Sequence, residues 1–276
     1  MLKSLHDMIH PTAIVAPGAS IGANVKIGPF CTVGADVVLE DGVELVSHVV
    51  VEGRTRIGAG VKLFPFCTVG LAPQDLKYKG EPTETVIGPR TQIREHCSIH
   101  RGTVTGTGIT RIGADCLLMA VVHVAHDCDI ADGVIISNNV VMGGHVEIGP
   151  RAVIGGSAAL LQFVRVGTGA MVGGLTGVRS DITPYCCTFG QRAELVGLNV
   201  IGLRRRGLDK TQLHHVRAAY RYIFTGPGVL AERMQAARAE YGDNPYVADM
   251  LGFMATPSRH GLLTKVFRDD SGESED

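Results

Sequence analysis

The chain has 276 residues, 45% hydrophobic but only 5% aromatic, with 36 glycines, seven cysteines, no tryptophan and a formal net charge of −1. Such an interior must be packed from Val, Ile, Leu and Ala, which suits repeated layers, and the near-neutral charge argues against a dedicated nucleic-acid binder, because neutralising phosphates takes a Lys/Arg surplus, though it leaves room for a local basic patch. No apolar run of about 18 residues offers a membrane segment, residues 1–10 lack a secretory pattern, and scattered thiols are no disulfide framework, so a cytoplasmic setting is expected.

From the N-terminus an aliphatic residue recurs every six positions: Ile9, Val15, Ile21, Ile27, Val33, Leu39, Leu45, Val51, Ile57, Leu63 and Val69. Helical periodicity cannot produce this spacing, whereas short strands between turns can, three of them completing a coil of roughly 18 residues. The expected fold is a mainly β protein, a parallel β-helix. Two residues before each aliphatic sits a second small or β-branched residue, such as Val25, Val37, Val43 and Val49, and both point inward because strand side chains alternate. Cys31, Cys67, Cys97, Cys116 and Cys128 share that slot and read as small buried hydrophobes. Glycines after the aliphatic, among them Gly22, Gly28, Gly58, Gly113, Gly149 and Gly167, are expected to mark turns of positive φ.

The period breaks at residues 71–86 and again at 102–108, which read as loops on a rigid scaffold, where function concentrates. Ile87, Ile93 and Ile99 carry it between the breaks, and Ile112 resumes a series that ends at Val178. The β-helix is thus assigned to residues 1–190, and 191–276 to a linker and a C-terminal helical domain. From about Asp209 the spacing turns helical: Leu213, Val216, Tyr220 and Ile223 share a face, Thr225-Gly-Pro-Gly breaks it, and two more helices follow at 229–241 and 245–254. Residues 268–276 read as an acidic, disordered tail.

The coil turns sequence arithmetic into geometry, since residues 18 apart stack at about 4.8 Å. His126, Gly144 and Gln162 form one column, and Asp127, His145 and Phe163 form the next, with His123 flanking them. A histidine beside an anion suits general-base work, so His126 is the candidate base, Asp127 its orienting or charge-supporting partner, and Gly144 a backbone N–H for an oxyanion. Whether Asp127 pairs with its own sequence neighbour stays open at this point.

The hexapeptide run, the segments Gln74-Asp75-Leu76-Lys77-Tyr78-Lys79-Gly80-Glu81-Pro82-Thr83, Ile99-His100-Arg101-Gly102-Thr103 and His123-Val124-Ala125-His126-Asp127-Cys128, and Gly202-Leu203-Arg204-Arg205-Arg206-Gly207 together resemble the bacterial acyl-[acyl-carrier-protein]:UDP-N-acetylglucosamine O-acyltransferases. The resemblance implies a left-handed β-helix, a homotrimer with sites between neighbouring helices, and the first acyl transfer of lipid A biosynthesis. His126 would deprotonate the sugar 3-hydroxyl for attack on a 3-hydroxyacyl thioester of acyl carrier protein, with the Gly144 amide stabilising the oxyanion. Asp75, Lys77, His100, His123, His145 and Gln162 match positions around the sugar and its phosphates, Asn199 and Arg205 nucleotide positions, and Gly174 and Arg192 positions near the end of the acyl chain. Because 174 and 192 differ by one coil, Arg192 is expected above Gly174. No cofactor is implied beyond the 4'-phosphopantetheine on the carrier protein, and no metal. Leu161 and Ile201 depart from the family pattern, standing where a histidine and an acidic residue are common. That leaves transfer onto a 3-amino nucleotide sugar as one alternative. A second is a zinc hydratase of the carbonic anhydrase type using histidines 100, 123, 126 and 145, and a third is a catalytically silent scaffold.

Overall fold

The computed structural model describes residues 8–267, so the tail at 268–276 lies outside the described residues. Among the described residues, strands two to five residues long sort into three sheets of nine, eight and ten strands, each sheet collecting every third strand as far as Gly177–Val178 and the ten-stranded one also taking the last two. Pairing is parallel with an offset of 18 residues in unbroken coils: Ile14 lies opposite Thr32, Ile21 opposite Leu39 and Lys26 opposite Glu44. This is the parallel β-helix that the six-residue spacing predicts. Every aliphatic of the series from Ile27 to Val178 is buried, and so are the five cysteines of the second inward slot.

The glycine expectation is corrected. None of Gly22, Gly28, Gly58, Gly113, Gly149 or Gly167 has positive φ. The left-handed position is instead the third residue after the aliphatic, occupied by residues as varied as Asn24, Phe30, His48, Asp115 and Val121. The glycines serve close stacking: a Cβ on Gly28 would run into the Val46 carbonyl, and one on Gly58 would lie 2.7 Å from Pro89 N.

Both breaks in the period are loops, the first narrower than expected at residues 72–83 because its flanking strands are four residues long, the second one residue wider at 101–108. One joins Thr68–Leu71 to Glu84–Ile87, the other Ser98–His100 to Ile109–Ile112. They stretch the pairing offset to 30 residues at Thr68 and Ser98 and to 25 at Ser98 and His123, while the inward slots stay in step.

The expected stacking of Arg192 on Gly174 fails because the last coil is short, and one further strand, Glu194–Leu198, joins the sheet past residue 190. Met171 pairs with Cys187, an offset of 16, and strand Glu194–Leu198 then folds back antiparallel on Cys186–Phe189 at the end of the β-helix. The Phe189 ring sits over Gly173, and Arg192 falls in the turn between the two antiparallel strands. Four helices follow: α1 (Val200–Arg205), α2 (Lys210–Thr225), α3 (Leu230–Tyr241) and α4 (Pro245–Ala255). Helix α2 starts at a capping box made by Asp209 and Gln212 and buries Leu213, Val216, Tyr220 and Ile223, the face read from the sequence. Past α4 the chain returns to the β-helix, where Asp181 N donates to Gly261 O at 2.9 Å and Leu195 N to Lys265 O at 2.8 Å.

Candidate active site

The corner that follows the nine-stranded sheet gathers the predicted columns. Asp127, His145 and Phe163 all take positive φ (59°, 60° and 64°), which turns their side chains out on successive coils. The backbones stack as the arithmetic requires, His145 N donating to His126 O at 3.0 Å and Phe163 N to Gly144 O at 3.1 Å.

Asp127 is buried and crowded with donors. Its oxygens accept from Thr103 N at 3.1 Å, Thr103 Oγ1 at 2.6 Å, Thr107 Oγ1 at 3.2 Å and Gly108 N at 3.0 Å. A fifth contact comes from its own sequence neighbour: His126 Nδ1 lies 2.8 Å from Asp127 Oδ2, so the two do pair. Burial pushes the Asp127 carboxyl up, but the hydrogen bonds from Thr103 and His126 outweigh it and hold it below the usual carboxylate range. An ionised carboxylate only accepts, so His126 Nδ1 is the donor and Nε2 keeps the free lone pair. The imidazole rests on Gly144, where a Cβ would come within 2.5 Å of its Cε1. Among the described residues the Gly144 N–H has no acceptor.

His145 meets His126 edge-on at 5.1 Å and stacks on Phe163 at 4.3 Å. Burial lowers its pKa, with His126 and Arg259 acting in the same direction and Asp127 opposing. His100 and His123 form an edge-to-face pair at 5.0 Å, and Ser98 Oγ lies 2.7 Å from His123 Nδ1. Burial, then repulsion from His123 and His126, pushes His100 down to about 4, and burial lowers His123 too. These rings are therefore neutral near pH 7.

A cavity of about 690 Å³ opens beside His126. The first loop supplies Gln74, Asp75, Leu76 and Lys77 to its wall, the second Thr105, and the corner His145, Gln162 and Phe163. His126, Asp127 and His145 bring potential ligand atoms within 4.8 Å of one another. They do not suit a metal: both Asp127 oxygens are saturated by donors and His126 Nδ1 is itself one of them.

Comparison with known proteins follows the same outline. A family model described as UDP N-acetylglucosamine O-acyltransferase, domain 2, matches residues 181–263, and the bacterial transferase hexapeptide model matches 18–53 and 109–144. The acyl-[acyl-carrier-protein]–UDP-N-acetylglucosamine O-acyltransferase of Rhizobium johnstonii is 46% identical over 92% of this chain and 93% of its own. The chain belongs to the UDP-N-acetylglucosamine O-acyltransferase family. Solved structures of the family agree. The one from Acinetobacter baumannii superposes with a TM-score of 0.88 at 39% identity, covering 93% of this chain and 100% of that one. The one from Moraxella catarrhalis gives 0.90 at 38%, covering 93% and 99%.

Not every position matched to the O-acyltransferase family reaches the cavity. His100 and His123 lie on the adjoining nine-stranded face. Asn199 caps α1, its Oδ1 accepting from Gly202 N at 2.9 Å and its Nδ2 donating to Gly169 O at 3.0 Å. Arg205 is exposed at the end of α1, and neither it, Gly174 nor Arg192 lines the pocket. Conversely, Thr103, Thr107 and Gly108 hold Asp127, a role that their sequence context does not assign to them. Their signal is the second interruption itself, a Thr-Gly-Thr-Gly loop inserted one coil before the histidine corner.

Proposed function

We propose that this family member transfers a 3-hydroxyacyl chain from acyl carrier protein to the 3-hydroxyl of UDP-N-acetylglucosamine, the opening step of lipid A biosynthesis. The observation that carries the reading is the His126–Asp127 pair with its imidazole laid on the Gly144 backbone. Asp127 holds the tautomer that leaves His126 Nε2 basic, so that atom takes the proton as the sugar oxygen attacks the thioester carbonyl. The unpaired Gly144 N–H donates to the oxyanion, and the imidazolium returns its proton to the departing pantetheine sulfur. Asp75, Lys77, His145 and Gln162 would hold the sugar nucleotide from the cavity wall, with His100 and His123 as neutral donors beside it. The 3-amino-sugar and zinc-hydratase alternatives are not favoured: the relatives' names specify UDP-N-acetylglucosamine, and the histidine cluster lacks a free ligand set.

The assembly proposed is a homotrimer in the cytoplasm. Positions such as Arg205 and Asn199, remote from the cavity in one chain, would then act at a neighbour's site, and Gly174 and Arg192 would bound the acyl groove. Among the described residues no helix is long and apolar enough to cross a membrane. The test is a mass-spectrometric assay with UDP-N-acetylglucosamine and a series of 3-hydroxyacyl carrier proteins. Product from the wild type, with a loss of at least about 100-fold for His126→Ala, upholds both the reaction and the base. An active His126→Ala variant rejects the base, and product only with a 3-amino acceptor rejects the substrate.

A further inference from the structure

Arg259 lies beyond α4 and belongs to none of the motifs from which the site was assembled. Its guanidinium carbon sits 3.8 Å from the centroid of the Phe163 ring, which is itself stacked on His145, and it lines the same cavity as His126 and Lys77. The segment bearing it is fastened to the β-helix. His260 Nε2 lies 2.7 Å from the Gln162 carbonyl oxygen, and Leu263 N donates to Asp181 O at 2.8 Å. Among the described residues neither the Arg259 guanidinium nor the Lys77 ammonium has a hydrogen bond or an ion pair. An unpaired cation held over the Phe163 ring therefore lines the same open cavity as the reacting base.

We infer that Arg259 binds a phosphate ester of a substrate in this cavity. The planar fork matches two phosphate oxygens at once, and stacking on Phe163 orients it in advance at little entropic cost. Lys77 adds a point charge to the same cavity. The inference rests on the reaction proposed above, in which both substrates carry phosphate esters: the diphosphate of the nucleotide and the phosphodiester of the pantetheine arm.

Steady-state kinetics of Arg259→Met, which keeps an apolar cover on Phe163, and of Arg259→Lys test it, with His126→Ala as the control for the site. Loss of a charge-assisted bidentate contact is expected to raise one KM about tenfold with kcat within about threefold, and lysine to recover part of it. A calorimetric titration with UDP-N-acetylglucosamine alone separates the sources. Weakening by the same factor assigns the nucleotide diphosphate, whereas unchanged affinity with a raised KM for acyl carrier protein assigns the pantetheine phosphate. Unaltered KM values for both substrates, or a fall in kcat alone, overturn the inference while His126→Ala still reports the site. An active His126→Ala variant overturns the site itself.

Discussion

Asp127 shows how much structure one catalytic pair requires. Five contacts converge on its carboxylate, four of them from the loop that interrupts the repeat between His100 and Ile109. Asp127→Asn replaces an acceptor by a donor facing Thr103 and Gly108 and frees His126 to take the wrong tautomer. The expected result is a kcat at least about 100-fold lower with KM within a few-fold, read from initial rates. Gly106 is a subtler probe, because a Cβ there would lie 2.5 Å from His145 Cε1 and 2.6 Å from Asp127 Oδ1. Gly106→Ala is expected to lower kcat about tenfold or more by displacing Asp127 and His145, and to lower the melting temperature as well. His100 gives a pH signature. Its folded pKa of about 4 lies below the ordinary 6.5, so the neutral ring is favoured in the fold. The associated stability, about 3 kcal/mol, is fully present above pH 6.5 and is lost as the pH falls towards 4. Urea midpoints across that window should fall steeply for the wild type and less for His100→Gln. The residues of this corner are legible in the sequence because stacking converts a difference of 18 into contact. Their donors are not, because a loop has no period from which to compute where its Thr103 hydroxyl goes.

At the scale of the strand and the turn, the six-residue spacing locates nearly every inward side chain, because burial on a regular lattice repeats with the lattice. Turn chemistry is less legible. Glycine is enriched for two physical reasons, freedom in φ and absence of a Cβ, and composition alone does not separate them. Here the second operates at Gly28, as a pair of substitutions will show. Gly28→Ala drives a methyl into the Val46 carbonyl, whereas a methyl on Gly252 in α4 would have nothing within 4 Å. Gly28→Ala should lower the thermal midpoint by an amount equivalent to about 2 kcal/mol or more. Gly252→Ala should raise it by the equivalent of about 0.5–1 kcal/mol through helix propensity. The six-residue helix α1 and the antiparallel strand Glu194–Leu198 escape a reading of the sequence because each is too short to show a period of its own.

For the whole molecule, one face stands out. Phe30, His48, Phe66 and His96 stack along a single corner with successive centroids 4.9 Å apart, and Phe30 and Phe66 remain 58% and 50% exposed. Val121 and Leu175 extend that exposed column on later coils. The apolar members of this column, Phe30, Phe66, Val121 and Leu175, with Asn139 and Ser157 between the last two, suit the subunit contact of the proposed homotrimer. Sedimentation equilibrium should then give three times the 29.2 kDa of the chain, and Phe66→Asp should yield monomers with little activity. A wild-type monomer with full turnover would refute the assembly.

The register has a further consequence for how such a molecule can change. Because an unbroken turn of the wall between His126 and Val178 is 18 residues, that stretch behaves as a screw of fixed thread. Inserting a whole turn between His126 and Val178 would carry the helical end about 4.8 Å along the axis and leave every side chain facing as before. Inserting a single hexapeptide would instead rotate that end by a third of a revolution and carry Arg259 away from the base. Reach along the proposed acyl groove is therefore adjustable only in whole turns of the thread, and anything finer has to be done by the side chains lining it.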